Sequence, residues 1–291
     1  MGTISVHPNV QSEAMFDTLI SADTLHRKLG APNWCVIDCR ASLADLDFGL
    51  SAYRAGHIAG AVFADLARDL SGPIVAGVTG RHPLPHPNVL ATSFGRWGID
   101  ADTQVVAYDA GNGAFAARAW WLLRWLGHAA AAILDGGLTA WASAGYPLRA
   151  GVEQRPATHF PDRPSLTRTV DAHDILERGA SMDLIDARAE PRFRGEVEPI
   201  DPIAGHIPGA RCVPFEGNVR RDDRFKDPAE LAARFALPAG KTVGEQVCYC
   251  GSGVTACHSI VAMRIAGLPE PALYAGSFSE WIQNPYRRVE R

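Results

Sequence analysis

The chain has 291 residues, 47% hydrophobic and 21% charged, with a formal net charge of -4. A single core stops growing near this length, so two domains are expected. The charge balance provides no basic footprint for nucleic acid and no cationic run for a membrane surface.

The first twenty residues lack a charged segment followed by an apolar one, which argues against a secretory signal. From there the chain alternates strands and helices. WCVIDCR (34–40) is a short apolar run ending in charge, as in a buried strand. GHIAGAVF (56–63) follows, then QVVAYD (104–109), a β-branched and aromatic strand running into the glycines of DAGNG. The next stretch, AFAARAWWLLRWLGH, has helical spacing, and Arg118 and Arg124 within it argue against a membrane span. AAAILDGG reads as a third strand, leading to Trp141.

Residues 151–165 carry prolines, charges and no apolar period, and read as an extended linker. After it the same blocks return in the same order: MDLIDAR (182–188), GHIPGARCVPF (205–215), QVCYCGSG (246–253) and LYAGSFSEW (273–281). Asp38 and Asp186, Gly56 and Gly205, Tyr108 and Tyr249, Trp141 and Trp281 are each separated by 140 to 149 residues. Four blocks in one order at a nearly constant offset mean a duplicated domain. The expected fold is α/β: domains at 1–150 and 166–291, each a mainly parallel sheet flanked by helices. Ligands of such sheets sit beyond the carboxyl ends of the strands, where DAGNG and CGSG fall.

CGSGVTAC (250–257) sets a thiol between a strand and a helix, in a loop stripped of bulk. Unpaired N–H groups converge at a helix start and favour an anionic sulfur. With Gly251, Ser252 and Gly253 the backbone is free to curl around that sulfur as an anion nest, with Val254 and Thr255 starting the helix and Thr255 as its cap. The aligned residue of the first copy is Asp109, which has no thiol chemistry and reads as a helix cap. One copy is thus catalytic and the other is not.

These features together, the CGSGVTAC loop, the paired GHI-x-GA segments, LDGG with its downstream Trp, and Asp in place of Cys, resemble the two-domain rhodanese-like sulfurtransferases over residues 15 to 288. The resemblance implies that Cys250 takes sulfane sulfur as a persulfide and passes it to a thiol or cyanide, with a thioredoxin-like reductant as a further partner. The neutral loop is similar to that of members using 3-mercaptopyruvate, in which a serine at Ser252 handles the proton. An α-keto carboxylate wants an arginine clamp. Arg192 matches the first clamp arginine, while Ile200 stands in the slot of the second, leaving Arg188, Arg194 or Arg211 as substitutes. His82, in GRHPLP, matches the family's relay histidine; Ala67 falls in the slot of its acidic partner, with Asp65 and Asp69 nearby. The candidate site is therefore Cys250, Ser252 and His82 for chemistry, with Arg192, Arg188, Gly251, Gly253, Val254 and Thr255 around the substrate.

Thiosulfate is the alternative donor, because Ile200 removes a cation from the clamp. A non-catalytic sulfur-carrying module would show a degraded loop in both copies, and the second copy is intact. A phosphatase of related fold needs an arginine where this chain has Ala256. Cys248, Cys250, Cys257 and His258 lack a second pair at zinc-ligand spacing, and no nucleotide motif is present, so neither metal nor cofactor is expected. Six cysteines are too few for a disulfide framework, and a reducing cytoplasm is expected. Cys248 and Cys257 read as core, His57 and His206 as structural, Trp120, Trp121 and Trp125 as core or domain interface. Arg118 and Arg124 read as a solvated helix face.

Overall fold

The structure is a computed structural model that describes residues 15–237 and 244–291. The N-terminal stretch in which no signal is read lies, through residue 14, outside the described residues. Strands β1 (Leu19–Ile20), β2 (Trp34–Asp38), β3 (Val62–Phe63), β4 (Gln104–Tyr108) and β5 (Ala131–Leu134) form one sheet in the order β1-β5-β4-β2-β3. Strands β6 (Thr169–Val170), β7 (Met182–Asp186), β8 (Arg211–Cys212), β9 (Glu245–Tyr249) and β10 (Ala272–Tyr274) form the second, β6-β10-β9-β7-β8. Every pairing within both sheets is parallel, and the two orders are the same under the duplication.

The helices are α1 (Ala22–Lys28), α2 (Phe48–Ala55), α3 (Pro87–Arg96), α4 (Ala116–Trp125) and α5 (Gly137–Ser143) in the first half. In the second they are α6 (Ala172–Arg178), α7 (Glu190–Phe193), α8 (Pro228–Phe235), α9 (Thr255–Ile265) and α10 (Ser277–Trp281). With helices on both faces, β2, β4, β5 and β7 are buried along their whole length, hence their largely apolar sequences. Among the described residues no helix is long and apolar enough to cross a membrane.

The repeated Asp-x-Arg and Gly-His-Ile blocks serve one buried network, built twice. Arg40 binds Asp38 through Nε and Nη2 and gives a further Nη2 bond to the Gly56 carbonyl at 2.7 Å. The Tyr108 hydroxyl donates to Asp38 at 2.6 Å and accepts from Ile58 N–H. In the second copy Arg188 repeats these bonds to Asp186 and the Gly205 carbonyl, and the Tyr249 hydroxyl accepts from Ile207 N–H. A charge sunk in a core is tolerated only when paired and hydrogen-bonded, which explains why these residues travel together. His57 and His206 are structural as expected: each ring Nδ1 meets a carbonyl, of Tyr53 and of Phe193, at 2.8 Å.

The segment at 151–165 forms no helix or strand but lies against the first domain. Phe160 is buried beside Phe94, and Thr158 N–H donates to the Gly95 carbonyl at 2.8 Å. The two halves meet along α4 and α9, where Trp120 and Trp121 are fully buried.

The solvated-face reading of Arg118 and Arg124 is corrected here, because both are buried. Helix α4 is enclosed by its own sheet on one side and by α9 on the other, so every residue of it from Ala116 to Arg124 is buried. Arg124 pairs with Glu270 across the interface at 2.9 Å. Among the described residues Arg118 has no carboxylate partner. It spends its donors on four carbonyls, of Leu70, His82, Pro83 and Gly253, from both halves of the molecule.

Candidate active site

Strand β9 ends at Tyr249, and Cys250 is the first residue beyond its carboxyl end, 2% exposed. The start of α10 pins its backbone. Cys250 N–H donates to the Ser277 hydroxyl at 3.1 Å, while Phe278 and Ser279 N–H donate to the carbonyls of Cys250 and Gly251. Ser277 holds a left-handed φ of 54° to make this turn, local strain of a kind that surrounding contacts must sustain. Gly253 is obligatory: its φ is +77°, and a Cβ there would lie 2.3 Å from the Ala275 carbonyl oxygen.

The loop wraps the sulfur as expected. Gly253 N–H donates to Cys250 Sγ at 3.1 Å. The N–H groups of Gly251, Ser252, Val254 and Thr255 bond nothing among the described residues, so the cradle is open for a second sulfur. The first copy shows the same kind of cradle filled by its own side chain. Asp109 accepts from the N–H groups of Gly111, Gly113, Phe115 and Ala116 at 2.9 to 3.2 Å. A loop at this strand end therefore wraps its own carboxylate in the first half and leaves N–H groups unpaired beside the sulfur in the second. Thr255 is the first residue of α9 and not its cap; Val254 precedes it, and the helix start has no side-chain cap. That leaves the helix-start N–H groups to a ligand.

His82 reaches the cysteine loop from the first domain. Gly80 makes this approach possible, since a Cβ there would sit 2.5 Å from the Gly276 carbonyl oxygen. His82 Nδ1 lies 2.8 Å from Ser252 Oγ. Burial, then the charges of Arg118 and Arg81, push the His82 pKa down to about 4, so the ring is neutral at pH 7. If neutral His82 is required, kcat/KM should hold between pH 7 and pH 5.5 and fall only near pH 4. A pH–rate profile checks this, and a limb near pH 6.5 would contradict it. The His82 ring bonds no carboxylate among the described residues: Asp65 is taken up by the N–H groups of Ala67 and Arg68 and by the Arg68 guanidinium.

A cavity of about 300 Å³ opens over the loop, lined by Cys250, Gly251, Ser252, Val254, Thr255, Arg81, Arg188 and Arg192 among others. Arg192 stands where expected, 3.7 Å from the position of a Gly251 Cβ. It is held through Nε and Nη2 by Glu198, and Nη2 also meets Asp201 at 3.1 Å. The other expected cations have different work. Arg188 is at the wall of the cavity; its Nε and Nη2 are committed to Asp186 and the Gly205 carbonyl and it packs over Phe278, while Nη1 has no hydrogen-bond partner among the described residues and lies 3.5 Å from Glu198. Arg194 pairs with Glu190 at the surface, and Arg211 forks onto Asp183 at 2.8 Å.

Sequence reasoning missed Arg81. Its Nη2 lies 2.8 Å from the position of a Gly251 Cβ, nearer than Arg192. The signal was its place beside His82: whatever brings that ring to the loop brings its neighbour too. Cys248 and Cys257 are fully buried, and burial pushes the Cys257 thiol up to about 12. His258 is neutral and buried, with Nε2 at 2.8 Å from the Asn112 carbonyl across the domain interface.

Two copies of one parallel α/β unit, one with a cradled cysteine and one with a carboxylate in its stead, define a class. Residues 21–144 and 169–284 match the Rhodanese-like domain, and the chain belongs to that family. A Pseudomonas aeruginosa protein provisionally named 3-mercaptopyruvate sulfurtransferase is 52% identical over 275 residues, 93% of this chain and 97% of its own. A Mycobacterium tuberculosis protein provisionally named thiosulfate sulfurtransferase SseB is 40% identical over 268 residues, 88% of this chain and 90% of its own. Among solved structures, 3-mercaptopyruvate sulfurtransferase from Leishmania major superposes with a TM-score of 0.80 at 31% identity, covering 91% of this chain and 74% of that one.

Proposed function

We propose that the protein is a sulfurtransferase that moves sulfur from 3-mercaptopyruvate to a thiol or to cyanide through a persulfide on Cys250. The observation that carries the choice of donor is the Ser252–His82 pair at 2.8 Å inside the cysteine loop. Breaking the C–S bond of mercaptopyruvate leaves an enolate that must take a proton, whereas thiosulfate leaves as sulfite and needs none. A proton relay beside the nucleophile therefore suits the first donor. The homologues and the solved structure named for 3-mercaptopyruvate support the same reading.

The step balances without a co-reactant. The donor thiol passes its proton through the Ser252 hydroxyl to unprotonated His82 Nδ1. The Cys250 thiolate attacks the donor sulfur, the C–S electron pair moves onto the pyruvate enolate, and the imidazolium returns the proton to its carbon through Ser252. Pyruvate leaves. The persulfide's outer sulfur, carrying the negative charge, sits among the free N–H groups of Gly251, Ser252, Val254 and Thr255. An acceptor thiolate, or cyanide, attacks that outer sulfur and the Cys250 thiolate departs, ready for another turn. A small thiol or a thioredoxin-like dithiol is the physiological acceptor class we assign. The six cysteines are all unpaired, which fits a reducing cytoplasm.

Steady-state transfer to cyanide with each donor tests the reading. The expected result is a kcat/KM for 3-mercaptopyruvate at least about tenfold above that for thiosulfate, roughly 1.4 kcal/mol of transition-state preference. A preference for thiosulfate would move the protein to the function in the Mycobacterium tuberculosis relative's name.

A further inference from the structure

We propose that His258 is a positioning residue: it latches the loop around Asp109 to the helix that follows Cys250 and so fixes one wall of the cavity above the sulfur. The proposal rests on Cys250 carrying the sulfur, whichever donor supplies it. Asn112, Ala114 and Phe115 of the Asp109 loop line the Cys250 cavity, as does Phe215 of the second domain. The non-catalytic copy thus supplies part of the catalytic copy's cavity, and a contact across the interface must hold it there. The Asp109 carboxylate does part of this work by accepting from the N–H groups of Gly111, Gly113, Phe115 and Ala116. An ionised carboxylate only accepts, so it cannot tie down a carbonyl. The Asn112 carbonyl is met instead by His258 Nε2 at 2.8 Å.

The ring is fully buried and is itself held in place. Phe225 stacks on it with ring centres 4.5 Å apart, and Phe215 meets it edge-on at 5.5 Å. Asn218 Nδ2 lies 3.3 Å from His258 Nδ1. Arg234 Nε donates to Asn218 Oδ1 at 3.1 Å, which turns the amide N–H groups of Asn218 toward the ring. Nδ1 is then an acceptor, and Nε2 carries the proton that the Asn112 carbonyl needs. One neutral tautomer satisfies both neighbours, and burial keeps the ring neutral. The bonds from Arg234 through Asn218 and His258 to Asn112 therefore run from α8 through α9 into the first domain. The duplication assigns this chain to the site rather than to the shared fold. His258 is the fourth residue of α9, whereas the fourth residue of α4 is Ala119. Only the copy with the thiol carries the latch.

The test compares two acceptors, 2-mercaptoethanol and the bulkier benzyl mercaptan, in wild-type, His258→Asn and His258→Gln protein, charged with whichever donor the wild type uses. Both variants lose the ring. Asparagine still accepts from Asn218 but is too short to reach Asn112, whereas glutamine reaches the Asn112 carbonyl with an N–H. The readout is the ratio of acceptor kcat/KM values, benzyl mercaptan over 2-mercaptoethanol, which the folded fraction of a variant does not affect. His258→Asn should raise that ratio about tenfold as the wall yields, and His258→Gln should stay within about twofold of wild type. An unchanged ratio in the asparagine variant, or an equal rise in both variants, overturns the latch. Failure of the persulfide reading looks different, since wild-type protein would then pass sulfur to neither thiol.

Discussion

Cys250→Ser should abolish sulfur transfer, by at least about a thousandfold in kcat, with no loss of fold. The sulfur sits in a loop whose backbone is fixed by its own neighbours: the Cys250 N–H and C=O are bonded to Ser277 and Phe278 and do not depend on the side chain. A serine hydroxyl fits the same space and still accepts from Gly253 N–H. What it lacks is the chemistry, because a hydroxyl is not an anion at neutral pH and cannot hold sulfur as a stable S–S bond. Mass spectrometry gives the complementary reading. Wild-type protein treated with donor and no acceptor should gain one sulfur atom on the peptide containing Cys250, and cyanide should remove it. Cys257 and Cys248, fully buried, should stay unlabelled. Label on either, or a serine variant that turns over, would refute the persulfide.

The duplication, the parallel sheets and the cysteine cradle were all legible in the sequence, because each is written locally. A strand ending in a charge, a glycine-rich turn and a thiol before a helix need only neighbours along the chain. What the sequence hid depends on the two halves meeting. Arg118 looks like one more charge on a helix, and only the packing of α9 over α4 removes it from water. Arg188 looks wholly available for a carboxylate until Asp186, its neighbour two positions back, is found to hold its Nε and Nη2 in the same way that Asp38 holds Arg40. Here the repeat itself held the clue: a residue present in both copies, when only one carries the thiol, serves the fold. Arg81 has no counterpart in that logic, and its place is set by a contact between the two domains, where it lines one cavity with Cys250, 169 residues further along the sequence.

Arg118→Met should destabilise the protein by about 3 to 5 kcal/mol and lower kcat by about a hundredfold. The guanidinium is fully buried, and a methionine would leave the carbonyls of Leu70 and His82 without a donor and remove one of the donors to Pro83 and Gly253. Two of those carbonyls belong to residues of the proposed catalytic site. Arg118 bonds the backbone of His82 at 3.1 Å on one side and of Gly253 at 3.1 Å on the other, so it sets the distance between the relay histidine and the cysteine loop. Its charge is also one of the causes that keep His82 neutral. Removing it should therefore do what a merely structural residue would not: raise the His82 pKa toward 6.5 and move the acid limb of the pH–rate profile upward. Arg124→Met supplies the comparison. Arg124 lies on the same helix and is also buried at the interface, yet it pairs with Glu270, away from the loop. That variant should lose thermal stability while keeping kcat and the pH profile. If Arg118→Met loses stability alone, with kcat and the acid limb unmoved, Arg118 is only interface packing and something else aligns His82 with Ser252.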